Sequence, residues 1–141
     1  MLFEPTIALG IKLQTILVRG EDEFDAAFME MVRMRADAVI VQGSLPRKRA
    51  VDLALKLSLP AVAAAPGFAE AGGLMSYVSV FTDLYRDAAT YVDKILKGAK
   101  PADLPVQQPT RFDLVINMKT ARALGLKIPS SILVRATQVI E

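Results

Sequence analysis

Cysteine and histidine are both absent from the 141 residues. Their absence removes thiol nucleophiles, disulfides, Cys/His metal sites and every Ser-His or Cys-His pairing. Long apolar runs are missing as well, since no stretch approaches the ~20 residues needed to cross a bilayer. A strong charge bias is missing too: 17 Lys and Arg stand against 15 Asp and Glu. That balance gives no broad basic surface for nucleic acid or anionic lipid, so neither is expected as a partner, and membrane insertion is not expected either. The opening Met1-Leu2-Phe3-Glu4-Pro5 has neither the basic nor the apolar region of an export signal. If Met1 is the true start, a cytoplasmic location is expected.

What the chain has is apolar residues, 52% of the total, against 23% charged. That is more hydrophobe than an average soluble domain carries, so the chain must fold or partner to hide it. Its length suits one α/β domain with a real core, and residues 1–141 are read as a single unit.

The hydrophobic period alternates along the chain between strand-like and helical. Residues 11–18 (IKLQTILV) read as a strand ending at Gly20. Phe24, Phe28, Met31 and Val32 then recur at helical spacing behind Glu21, Asp22 and Glu23, whose charges suit the positive end of a helix dipole. Residues 38–41 (AVIV) form a continuous apolar run, the pattern of a strand buried on both faces. Ser44, with Pro46 two residues on, looks like the cap of a second helix carrying Val51, Leu53, Ala54, Leu55 and Leu57 to Pro60. Residues 61–65 (AVAAA) and 74–78 (LMSYV) read as further strands, separated by the breakers Pro66, Gly67, Gly72 and Gly73. The longest helix follows, with Thr82 as its N-cap, a stripe through Leu84, Ala88, Tyr91, Val92, Ile95 and Leu96, and Gly98 at its end.

Residues 101–109 hold three prolines and read as an extended crossing. Phe112, Leu114 and Ile116 then share one face of a strand, and Asn117 caps a short helix ending at Gly125 and Pro129. Alternating strands and helices of this length predict an α/β fold in three layers, a mostly parallel sheet with helices on both faces.

In open parallel sheets ligands bind at the carboxyl ends of the strands. Position alone therefore nominates Gln42, Gly43 and Ser44, the turn around Ala65 and Phe68, and Ser76 with Tyr77. The plainer account is that Gly and Ser simply make the turns that strand-to-helix loops require. Arg47, Lys48 and Arg49 set three cations at a helix start, where the dipole disfavours them unless an anion sits close. The competing account leaves them solvated. Gly72-Gly73 lacks the spacing of a phosphate-binding loop, and Asp22, Glu23 and Asp25 are better explained by the helix dipole than as a catalytic carboxylate pair. With no acid/base constellation, no enzyme, no metal and no cofactor are expected.

The segment EAGGLMSYVSVFTDLYRDAATYVDKILKGAK, continuing PADLPVQQPTRFDLVINMKTARALGLKIP, resembles the tryptophan/tyrosine-type ABC transporter substrate-binding family, as do VRGEDEFDAAF and RADAVIVQGSL. The resemblance implies one lobe, the C-terminal one, of a two-lobed periplasmic-binding fold that traps a small solute in a cleft and delivers it to an ABC permease. It implies a periplasmic location and no chemistry on the solute. The cleft rim it implies here is Gln42, Gly43, Ser44, Ala65, Phe68, Ser76 and Tyr77, with residues 101–141 as crossing strand and C-terminal hinge segment. The chain departs from the family at Val78, where glycine is usual, and in its short loop after GSL.

The resemblance also implies a first strand of this lobe, lying between residues 11–18 and 37–41, that precedes the point where this sequence starts. Its lack is expected to leave two unpaired edges and uncovered apolar faces, met either by a re-ordered sheet or, as the first choice, by a second copy of the chain in a homodimer. Residues 112–116, which cross between lobes in the family, are the segment expected to pair across that interface. Two functions follow as expectations. One is non-covalent capture of a small molecule, an amino acid among the candidates. The other is a truncated, transport-incompetent lobe serving as an intracellular sensor or dimeric interaction module.

Overall fold

A computed structural model describes residues 9–141. A 3-10 turn, Glu21–Glu23, leads into α1 (Phe24–Arg33); then come β1 (Val39–Val41), α2 (Arg47–Lys56), β2 (Ala61–Ala63), β3 (Met75–Ser79) and α3 (Phe81–Leu96). After a second 3-10 turn, Pro101–Asp103, follow β4 (Phe112–Asn117), α4 (Met118–Ala123), α5 (Ser130–Leu133) and β5 (Gln138–Ile140). The strands form one sheet in the order β1-β2-β3-β4-β5. All neighbours are parallel except β3 and β4, which run antiparallel with Tyr77 opposite Leu114. The α/β, mostly parallel architecture is thus the one the alternating periods predict.

Two helices cover one face of the sheet. Their apolar stripes, Phe24 and Phe28 on α1 and Ala50, Val51, Leu53 and Ala54 on α2, close over Val39, Val41, Ala61 and Ala63. Alanines in β2 bring α2 close to the strands, and Phe68, fully buried, fills the space beyond them. Strand register gives the opposite face: Ile40 lies beside Val62, Val62 beside Met75, and Tyr77 and Phe112 continue the row. That row is bare at the β1 end, where Ile40 is 72% exposed. The continuous apolar run of β1 predicts burial on both sides; the structure buries only Val39 and Val41.

Residues 11–18 do not join the sheet. A strand exists only through a partner, and these residues make no backbone hydrogen bond to the outer edge of β1 or to any other described residue. The β propensity is present and the ladder is not. β5 went unpredicted because three residues carry too little pattern; its placement comes from tertiary bonds such as Thr137 N–H to Leu114 O at 2.8 Å. Helix caps also differ from expectation. α2 is preceded by Pro46 and not capped by Ser44, and α3 begins at Phe81, so Thr82 lies inside it. Asn117 does cap α4, its Oδ1 accepting from Thr120 N–H at 3.0 Å.

Candidate functional site

β1 and β2 run parallel, so the loops that leave them emerge at the same edge of the sheet. Gln42, Gly43 and Ser44 form an exposed turn, closed by Leu45 N–H to Gln42 O at 3.1 Å. The neighbouring loop presses against it. A Cβ on Gly43 would lie 3.0 Å from Ala64 O and 3.3 Å from Ala65 Cβ, so glycine is what permits the close approach. Arg47, the first residue of α2, reaches across and donates from Nη1 to Pro66 O, tying the two loops together. Gly67 makes the turn beyond it at φ +75°.

Of the three cations at the start of α2, Lys48 pairs with Asp52 and Arg49 with Asp25 of α1. Arg47 has no carboxylate partner among the described residues; the loop after β1 carries no Asp or Glu, and the loop after β2 carries one, the exposed Glu70. α2 has no side-chain cap and no acid in its first turn. This corner of the molecule therefore offers spare guanidinium and helix N–H donors. Elsewhere, Arg33 hydrogen-bonds Glu30 and holds its carboxyl below the usual carboxylate range, but that pair sits exposed on α1. No group of three acidic, Cys or His side chains that could hold a metal occurs among the described residues.

The other expected rim residues are placed differently. Ala65 lies in the loop cluster but is buried, and the Phe68 ring turns into the core, where it packs against Gly73. Ser76 sits on the helix-covered face of β3 opposite Ala63, 1% exposed, its hydroxyl without a hydrogen-bond partner among the described residues. Tyr77 points to the opposite face and stacks on Phe112, ring centroids 5.1 Å apart. The structure thus gathers Gln42, Gly43, Ser44 and Ala65 at one corner, sets Phe68 and Ser76 beneath it, and leaves Tyr77 on the far side of the sheet. Successive strand residues face opposite ways, so Ser76 and Tyr77 cannot share a rim through their side chains.

Sequence reasoning passed over the anchors. Asn117 Nδ2 donates to Ala69 O and Thr120 Oγ1 to Gly72 O, both at 2.8 Å, fixing the loop that leads from Pro66 to β3. Asn117 is legible as a cap, but its second bond spans 48 residues and has no local signal. A cleft of about 370 Å3 lies elsewhere, between α3 and residues 101–109, bordered by Leu84, Tyr91 and Pro105. It is open to solvent and lies away from the loops that follow β1 and β2, so the loop corner is the better candidate site.

The sequence profile of ABC transporter substrate binding proteins matches residues 3–140. The chain belongs to that family. Members of the ABC substrate-binding family bind solutes and are not enzymes. Among solved structures, a conserved domain protein from Vibrio cholerae O1 biovar El Tor superposes with a TM-score of 0.82 at 27% identity, over 95% of this chain and 46% of that one. An ABC domain from Streptococcus pneumoniae in complex with L-Trp gives 0.80 at 32% identity, over 95% and 48%. A ligand-free, open substrate-binding protein with adhesive properties from Clostridium difficile shares the fold at 22% identity, TM-score 0.69, over 99% and 48%. This substrate-binding family chain therefore spans about half the length of those structures. No curated protein matches it. No helix among the described residues is long and apolar enough to cross a membrane.

Proposed function

We propose that the chain captures a small solute non-covalently, as one lobe of an ABC importer's receptor working with a membrane permease outside the cytoplasmic membrane. The observation that carries the reading is the pairing of the β1 and β2 loops at one corner, with Arg47, which has no carboxylate partner among the described residues, bridging them. Such a corner suits an anionic group, and a carboxylate meeting Arg47 makes an amino acid the preferred candidate. The L-Trp complex of the Streptococcus pneumoniae relative supports that choice of first ligand. Residues 1–141 act as one α/β unit in this reading, with residues 101–141 as the return segment.

Isothermal titration with L-tryptophan, then with other amino acids, tests it. Saturable binding that drops at least tenfold in Arg47→Ala is expected. Flat titrations across aromatic, branched and acidic amino acids would overturn the reading.

A second reading, a transport-incompetent lobe acting as a dimeric interaction module, is favoured by the bare apolar face around Ile40. Size-exclusion chromatography with light scattering separates the two, because a lone receptor lobe need not self-associate and the module must.

A further inference from the structure

β4 runs antiparallel to β3, so its first residues stand at the same edge of the sheet as the last residues of β1, β2 and β3. The start of β4 and the loop corner therefore share one rim. Register decides which side chains meet there. Val41, Ala63 and Ser76 are partners in one row across β1, β2 and β3, and Val115 of β4 completes the row opposite Ser76. One pleat nearer the loops, Asp113 stands opposite Val78. Its side chain therefore leaves the sheet on the same face as Ser76, the face that carries α1 and α2.

Two polar groups on this face have unspent bonding capacity. Ser76 Oγ has no hydrogen-bond partner among the described residues, and at 1% exposure it is closed off by the atoms of this lobe itself. Asp113 is half-buried and enters no side-chain hydrogen bond or ion pair among the described residues. Arg111, the cation nearest to it in sequence, is engaged by Asp83 at 2.8 Å. Sheltered polar groups are costly without partners, a carboxylate more so than a hydroxyl. Arg47 is the complementary case, a guanidinium that ends on Pro66 O and has no carboxylate.

We propose that Asp113 is the ammonium-binding residue of a site whose carboxylate pole is Arg47, so that the rim of β1 to β4 takes an α-amino acid as a zwitterion. This rests on the capture reading above and deepens it, from an anionic group to a molecule carrying both charges. The span agrees. β2, whose outgoing loop holds Pro66, and β4 lie two strand spacings apart, about 10 Å, with Ser76 on the strand between them. An α-amino acid held by charge-assisted bonds of about 2.8 Å at each end fills a gap of that order.

The acid of the β2 loop does not compete for this role. Glu70 is exposed, and Ala69 beside it is bonded through its carbonyl oxygen to Asn117, at the far end of β4 from Asp113. The residues from Asp113 to Asn117 run about 13 Å. A pair of opposite poles also sets the substrate class. A ligand with one charge alone leaves the other pole desolvated and unpaired, so simple carboxylates and amines are disfavoured.

Isothermal titration compares L-tryptophan with indole-3-propionate, which keeps the indole and the carboxylate and lacks the ammonium. The unaltered chain is expected to bind L-tryptophan at least tenfold more tightly, and Asp113→Asn to abolish that preference by weakening L-tryptophan alone. Arg47→Ala should weaken both. The urea midpoint of Asp113→Asn is expected to hold or rise, because the change neutralises a sheltered charge without a partner. A lower midpoint with both ligands weakened would mean that Asp113 serves the fold, and would overturn the assignment. Equal binding of L-tryptophan by Asp113→Asn and the unaltered chain, or of indole-3-propionate and L-tryptophan by the unaltered chain, would overturn the zwitterion site and leave the capture reading standing. Flat titrations with every amino acid would overturn the capture reading and this site with it.

Discussion

Gly73→Ala is a small substitution with a large expected cost. Its φ lies outside the left-handed region, so the backbone itself accepts alanine, and removing a glycine from the unfolded chain would by itself add about 0.4–1 kcal/mol of stability. Space forbids it. The new Cβ would fall 2.2 and 2.3 Å from two ring atoms of Phe68 and 2.9 Å from its carbonyl oxygen. Phe68 is fully buried, so its ring has nowhere to retreat without displacing the core around it. Overpacking of this kind costs about 1–3 kcal/mol, which outweighs the entropic gain. The net expectation is a loss of about 1–2 kcal/mol, read by urea denaturation at 25 °C with far-UV circular dichroism, at one fixed protein concentration. Phe68→Leu removes the ring atoms that clash. In that background Gly73→Ala should cost less by at least about 1 kcal/mol, a coupling that a double-mutant cycle isolates. A neutral or stabilising Gly73→Ala, or additive effects in the cycle, would refute the packing argument.

Two further substitutions test the supports of the loop corner. Asn117→Ala removes both the α4 cap and the donor to Ala69 O, so a loss of about 2 kcal/mol or more is expected in the same denaturation assay, with faster amide exchange in residues 66–73. Ser76→Ala deletes a buried hydroxyl that has no partner among the described residues, and it should raise stability by about 1 kcal/mol; a loss of that size would mean the hydroxyl is bonded in solution.

What the sequence discloses here follows from how local each signal is. Periodicity finds α1, α2, α3 and the four strands whose apolar residues face the core, because burial on one side repeats every 3.6 or every second residue. Glycine and proline mark their ends well. Gly98 and Gly125 close helices in the left-handed conformation as expected, although Arg35 and Ser58 do the same with no glycine to announce it. Residues 11–18 have strand composition, but pairing depends on a neighbour that composition does not describe. The loop corner is half legible. Gln42, Gly43 and Ser44 stand out as a break after an apolar run, whereas the bridge from Arg47 to Pro66 and the anchors at Asn117 and Thr120 join residues far apart in sequence. Assigning Ser76 and Tyr77 to one rim treated them as a motif, and strand pleating parts their side chains.

The bonds from Asn117 and Thr120 also set a clock. Each joins residues 48 positions apart, and at 5–20 residues per second a ribosome needs roughly 2–10 s to add that much chain. Throughout this interval the segment after Pro66 has left the exit tunnel without the carboxamide and hydroxyl that will position it. A nascent chain therefore acquires β1 to β3 and the core packed around Phe24 to Phe68 early, and β4, β5 and the anchors of the loop corner late, so a product cut short before Asn117 would carry that core, an incomplete sheet and an unset corner.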